Sequence, residues 1–94
     1  MTESNHPPNH VNVAVLTTSG RWPAHGFEST PSNQKVKVAL DHAARALHIV
    51  DTSGWVATVG SREVAIGSSY VENHLTGEVL IDYGPRAGGG GTGA

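Results

Sequence analysis

The sequence predicts a small α+β domain with one long helix set between two groups of strands. Three patterns indicate this: alternating β-branched residues near the start, apolar residues at helical spacing in the middle, and short apolar runs between glycine turns in the second half. With 94 residues, the chain has room for one domain and one thin core. Aromatic residues make up 5% of the chain, so this core must depend mainly on valine, leucine, isoleucine and alanine.

The first predicted elements are two strands joined as a hairpin. Valines occur at every second position, the spacing of one face of a strand: Val11, Val13 and Val15. Ser19-Gly20 signals a turn, and the run 21–28 is expected to pair back on the first strand. Because Pro23 has no N–H to donate, we expect this second strand to be an edge or to be interrupted there.

An amphipathic helix follows the hairpin. Its apolar residues lie on one helical face: Val36, Leu40, Ala43, Ala44 and Leu47. Charged and polar side chains occupy the opposite face: Lys37, Asp41, Arg45 and His48. Ser32 is the predicted N-cap, and Thr52-Ser53-Gly54 the predicted end of the segment.

The second half predicts more strands and one helical turn. We expect a strand over 55–59, a short return strand over 62–66 and a helical turn over 70–74 that residues 67–69 cap. The last strand is predicted over 79–83. Because this run alternates little in polarity, we expect it to be buried on both faces.

The segments outside these elements are predicted to lack regular structure. Residues 1–10 are polar and rich in Pro, Asn and His, and are expected to form a disordered arm. The domain is expected over 11–84, followed by a flexible glycine-rich tail over 85–94.

Charge and composition argue against several classes of function. The net charge of −2 excludes a basic footprint for nucleic acid. Cysteine is absent, which excludes disulfides and thiolate chemistry. No apolar run approaches the ~20 residues of a membrane span, and the start of the sequence has no apolar export segment. We therefore expect a cytoplasmic protein without a membrane partner.

No pattern typical of a catalytic or metal site is found. His42 and His48 are six residues apart, whereas two ligands on one helix face would be four apart, so we expect no metal. The segment GSREVAIGSS lacks the lysine of a phosphate-binding loop. A domain of this size has little room for the deep cleft of a hydrolase. We predict a protein that is not an enzyme and has no catalytic residue or cofactor.

The order of these elements resembles the ubiquitin-like β-grasp family. The segments VNVAVLTTSGRWPAHGFE, WVATVGSREV and SSYVENHLTGEVLIDY resemble its opening hairpin, its strand with a glycine turn and short strand, and its tyrosine-containing turn with the final strand. The resemblance implies a mixed four- to five-stranded sheet, with the first and last strands adjacent in the middle and one main helix packed across it. More narrowly, the chain resembles bacterial ubiquitin-like proteins, which by analogy suggests antiviral defence.

This resemblance implies that the chain is a protein modifier. Its C-terminal carboxylate would be adenylated by an activating enzyme, passed to a cysteine of a conjugating enzyme, and joined to an amine as an isopeptide bond. A JAB-type protease would be a third partner. The glycines implied in processing and conjugation are Gly88, Gly89, Gly90 and Gly91. Removal of Thr92-Gly93-Ala94 would leave Gly91 as the mature end, with Gly89 as the second choice; the same run is also typical of a solvated linker.

The resemblance also implies a small apolar recognition patch on exposed strand positions. Its candidates are Val56, Thr58 and Leu80, and Arg62 and Arg86 are candidates for pairing with acidic groups of an activating enzyme. Trp55 is expected in the core. The chain's two lysines, Lys35 and Lys37, would be the acceptors if chains form on this protein, although a solvated helix face is the simpler interpretation.

Two other functions fit the same sequence. A sulfur carrier of this fold would use a terminal Gly-Gly carboxylate, converted to a thiocarboxylate, but those proteins normally end at the second glycine. A non-covalent interaction module would use the tail only as a linker.

Overall fold

The fold is arranged around two long central strands, in a computed structural model that describes residues 9–86. In chain order the elements are β1 (His10–Thr17), β2 (Gly20–Trp22), β3 (Glu28–Pro31), α1 (Val36–Ala46), β4 (Trp55–Val59), β5 (Arg62–Glu63) and β6 (Glu78–Pro85). The sheet order is β2-β1-β6-β4-β5, and β3 also pairs with β1. β1 and β6 run parallel, while the other strand pairs are antiparallel. The predicted α+β class, with a mixed sheet and one main helix, is confirmed. The sheet has six strands, where four to five were expected, because the return half of the hairpin forms both β2 and β3.

The return half of the hairpin is split, as Pro23 predicted. β2 pairs with the end of β1, from Val15 to Thr17, and β3 pairs with its beginning, from His10 to Val13. Between them, residues 23–27 leave the sheet. Phe27 is therefore outside the strands, and the pairing resumes only at Glu28.

The core lies between α1 and one face of the sheet. Its largest fully buried side chains are Tyr70, Leu40, Ile81, Val11, Val13, Val15, Val36 and Val79. The expectation that the last strand is buried on both faces is wrong. In β6, Val79 and Ile81 are buried, whereas Leu80 is 43% exposed and Asp82 is exposed. The strand alternates because α1 covers only one face of the sheet.

The helix does not begin as predicted. α1 starts at Val36, and its N-cap is Lys35, whose side chain makes no capping hydrogen bond. The N–H groups of Val36 and Lys37 instead donate to the carbonyls of Ser68 and Ile66, both at 3.0 Å. The predicted N-cap Ser32 is wrong, because a neighbouring loop supplies the acceptors that a capping side chain would otherwise provide.

The helix also ends earlier than the Thr52-Ser53-Gly54 signal. His48 adopts a left-handed backbone conformation with φ 59°. Its N–H donates to the carbonyl of Arg45 at 3.2 Å, and the N–H of Ile49 donates to the carbonyl of Ala44 at 2.8 Å. This pair of bonds is the Schellman helix end, which usually has glycine where His48 stands.

The predicted helical turn over 70–74 is present and capped. The N–H of Ser69 donates to the Glu72 carboxylate at 2.8 Å, and the N–H of Glu72 donates to Oγ of Ser69 at 3.0 Å. This reciprocal pair is a capping box. The turn closes with His74 at φ 61° and with the N–H of Leu75 on the carbonyl of Tyr70 at 2.9 Å, so it repeats the helix end seen at His48.

The first and last strands extend slightly beyond the predicted domain. β1 begins one residue before, and β6 ends one residue after, the expected range 11–84. Nearly all of the predicted N-terminal arm, and the whole glycine run, lie outside the described residues. Within residues 9–86, no helix is long and apolar enough to cross a bilayer.

Candidate recognition surface

The sheet has an outer face, which is the face turned away from α1. Directly paired residues on neighbouring strands share a face. The pairings therefore place one row of side chains straight across the outer face: Arg21, Leu16, Asp82, Thr58 and Glu63. Val56 and Leu80 lie two residues from this row along their strands, so they occupy the same face.

A shallow groove of about 480 Å³ lies on this face, and we call it the outer groove. Apolar side chains of Leu16, Val56 and Pro85 line it, together with three threonines and the backbone at Gly84. Asp82 is the one residue among those lining it that carries a formal charge.

The predicted patch is brought together in part. Val56 and Thr58 line the outer groove, and Leu80 lies on the same face beside it. Asp82, however, lies on the same strand face as Leu80 and pairs directly with Thr58, so the patch is not continuously apolar. Asp82 was not among the predicted patch residues, because the low alternation of polarity in this run predicted a strand buried on both faces. The signal that would have identified it is its spacing of two residues from Leu80, which places both on one face.

The two predicted arginines are not both on this face. Arg62 pairs with Val59 on the helix side of the sheet, and its Nη2 donates to the carbonyl of Asn73 at 2.8 Å. Arg86 forms a two-point ion pair with Glu63, with nitrogen–oxygen distances of 3.2 and 3.1 Å. Both residues of that pair are exposed, so it contributes little to stability.

Arg21, which also lies on the outer face, is bound to other groups of the chain. Nη1 of Arg21 donates to the carbonyl of Pro23 at 2.9 Å. The Arg21 guanidinium also lies 5.4 Å from the centre of the Phe27 ring, within cation–π range. Among residues 9–86, Asp82 takes part in no ion pair and no side-chain hydrogen bond.

The two lysines lie on the other side of the sheet. Lys35 is the N-cap of α1 and forms an isolated β-bridge with Ser69, and Lys37 follows in the first helical turn. Both residues are exposed. Trp55, which was expected in the core, lies on the helix side, where it is half-buried and packs against the core with its ring edge-on to Tyr83 at 5.1 Å.

The environments of Tyr70 and Asp51 shift their pKa values. Burial raises the pKa of Tyr70 to about 12, and the Tyr70 hydroxyl finds no hydrogen-bond partner within the described part of the chain. Hydrogen bonds from Ser53 lower the pKa of Asp51. No cluster of three or more His, Asp or Glu residues within residues 9–86 is arranged to hold a metal ion.

Comparison with known proteins gives the fold. The sequence matches no protein-family model and no curated protein sequence. A de novo designed protein based on ubiquitin has a TM-score of 0.65 and 16% identity, over 92% of this chain and all of that chain. A structure described as molecular mimicry of SUMO that promotes DNA repair has a TM-score of 0.60 and 10% identity, over 82% of this chain and 95% of that one.

A third similar structure is the N-terminal ubiquitin-like domain of the 4931431F19Rik protein. It has a TM-score of 0.59 and 14% identity, over 100% of this chain and 95% of that chain. Identities this low carry information on the fold alone. Together with the observed strand order and the single helix across the sheet, these similarities show that the chain has the ubiquitin-like β-grasp fold.

Proposed function

We propose that this chain is a ubiquitin-like modifier of the bacterial type, processed to a terminal glycine and conjugated to amines through partner enzymes. The observation that carries the proposal is the path of the central strand. β6 ends at Pro85, which still pairs with Trp55, and the run Gly88 to Gly91 begins three residues later in the sequence. A segment without side chains thus follows directly from the middle of a ubiquitin-like sheet.

The chemistry of acyl transfer explains why such a segment would be glycine. The terminal carboxylate has to reach the nucleotide and then a cysteine through a narrow channel. Glycine has no Cβ to meet the channel walls, and it adopts backbone angles that other residues avoid. We propose Gly91 as the mature terminus, after removal of Thr92-Gly93-Ala94 by a JAB-type protease, with Gly89 as the alternative.

The proposed enzyme contacts and the candidate acceptor lysines lie on different sides of the sheet. The activating and conjugating enzymes would contact the outer face of the sheet, which carries Val56, Thr58 and Leu80. Lys35 and Lys37 lie away from that face, so they would remain accessible as acceptors if chains form. Since the sequence contains no cysteine, the protein would be the group transferred and never the thioester carrier.

The test is the formation of a thioester in vitro. A variant truncated after Gly91 is incubated with ATP and a candidate activating enzyme from the same organism, and products are followed by intact mass spectrometry. We expect an adduct on the enzyme that a thiol reductant releases, and loss of this adduct when Gly91 is replaced by aspartate. Absence of an adduct from variants ending at Gly88, Gly89, Gly90 and Gly91 alike would contradict the proposal.

A second candidate is a non-covalent interaction module. The observation that favours it is the similarity to an N-terminal ubiquitin-like domain within another protein. Such a module would bind its partner equally well with and without residues 87–94. A sulfur carrier, in contrast, would show replacement of one carboxylate oxygen by sulfur in its intact mass.

A further inference from the structure

We propose that the outer groove receives an arginine side chain from a protein partner, with Asp82 as its counterion. This inference deepens the recognition role proposed above for the same sheet face, and it rests on that proposed function. It assigns to the partner a basic residue at the point where a purely apolar contact was expected.

The position of Asp82 is the first argument. β6 is flanked by strands on both sides, so Asp82 lies in the middle of the sheet, between Leu16 of β1 and Thr58 of β4. Neither neighbour carries a charge. A carboxylate in this place costs apolar contact area at the centre of a candidate interface, and a cationic partner group offsets that cost.

The second argument is that, among residues 9–86, the two arginines near Asp82 on this face are bound to other groups. Arg21 is held by the Pro23 carbonyl and the Phe27 ring, and Arg86 is held by Glu63. Asp82 therefore lies between two arginines that are bound to other groups. Within residues 9–86 the structure gives this carboxylate no counterion, and a cationic group of the partner would supply one.

The third argument is the lining of the groove. Leu16, Val56 and Pro85 provide apolar contact for the aliphatic part of a long side chain, while Asp82 lies beside them. An arginine combines an apolar stem with a planar cation that binds carboxylate at two points. A volume of about 480 Å³ admits one such side chain. An acidic or purely apolar residue would leave Asp82 unpaired, and this disfavours partners of that kind.

The test uses a single blocked amino acid as the probe. The ¹⁵N-labelled protein is titrated with N-acetyl-arginine methylamide, and with the corresponding citrulline derivative, which is neutral and of similar shape. Since one exposed charge pair contributes little, we expect millimolar affinity for the arginine probe. Saturable shifts are expected at the amides of Leu16, Thr58, Asp82 and Gly84.

The matched variants are Asp82→Asn and Glu78→Gln. Both remove one negative charge from the outer face of β6, but Glu78 pairs with Asn12 and does not line the groove. Asp82→Asn should weaken arginine binding about fivefold, and Glu78→Gln should leave it within the error of the wild type. Equal shifts with citrulline, unchanged binding in Asp82→Asn, or equal weakening in both variants would overturn the inference.

The result is separable from that of the thioester test. A thioester adduct without arginine binding overturns only the role of Asp82. Arginine binding without any adduct contradicts conjugation and leaves the groove as the recognition site of an interaction module.

Discussion

Two histidines occupy backbone positions that usually belong to glycine. His48 and His74 each end a helical segment at a positive φ, 59° and 61°. A side chain in this left-handed region costs roughly 1–2 kcal/mol, and glycine avoids that cost but loses more entropy on folding. Neither site could be predicted from the sequence, because the usual marker of such a helix end is glycine itself.

The first prediction concerns His48. Replacing it with glycine should stabilise the protein by about 0.5–1 kcal/mol, because the left-handed strain is relieved. The matched control is His48→Ala, which removes the imidazole but keeps the Cβ and its strain. Urea denaturation measures both variants. If His48→Gly is no more stable than His48→Ala, the left-handed helix end described at this residue is incorrect.

A second residue-scale prediction concerns the buried Tyr70 hydroxyl, which lacks a partner within residues 9–86. Burial raises the pKa of Tyr70 to about 12, so between about pH 10 and 12 the folded state keeps a proton that the unfolded state loses. Stability should therefore fall with rising pH across this window, by roughly 1–2 kcal/mol from this group.

Tyr70→Phe should remove that part of the pH dependence. At neutral pH the variant should be as stable as the wild type or up to about 1 kcal/mol more stable, because an unpaired buried hydroxyl is lost. Chemical denaturation from pH 7 to 11.5 gives both quantities. A variant with the same alkaline slope as the wild type would show that Tyr70 is accessible or hydrogen-bonded.

At the scale of elements, local patterns predicted those features that depend on one segment alone. The alternating valines gave β1 its buried face, and Pro23 marked the break in the hairpin. The features that depend on contacts between segments could not be predicted from these local patterns. The start of α1 is fixed by the carbonyls of Ile66 and Ser68, and the exposure of Asp82 follows from which face of the sheet α1 covers.

Asn73 is the side chain that holds this connecting loop together. Its amide nitrogen donates to the carbonyls of Ala65 and Ser69, and its oxygen accepts the N–H of Ala65, all at 2.9 Å. It is only 6% exposed. The bonds fix the segment whose carbonyls of Ile66 and Ser68 receive the first N–H groups of α1.

Asn73→Ala should therefore destabilise the protein by about 2–3 kcal/mol, because buried backbone groups lose their partners. It should also speed hydrogen exchange at the N–H groups of Val36 and Lys37. The exposed Asn33→Ala serves as the control, with an expected change within about 0.5 kcal/mol. If Asn73→Ala matches this control, the loop is held by other contacts.

At the scale of the whole molecule, the two faces of the sheet differ, because the single helix covers only one of them. The helix side contains the core, whereas the outer face carries the outer groove. This explains why the fold was predictable from the order of elements, whereas Asp82, the charged centre of the candidate surface, was not. It also explains why similar folds at 10–16% identity do not establish a shared activity.

The most direct test of the proposed modifier role is the intact mass of the protein recovered from cells that co-express candidate activating, conjugating and JAB-type protease enzymes from the same organism. We predict a species that lacks Thr92-Gly93-Ala94, together with larger products in which the terminal glycine is joined to an amine of another protein. Recovery of the full 94-residue chain alone, with the co-expressed enzymes active, would contradict that role.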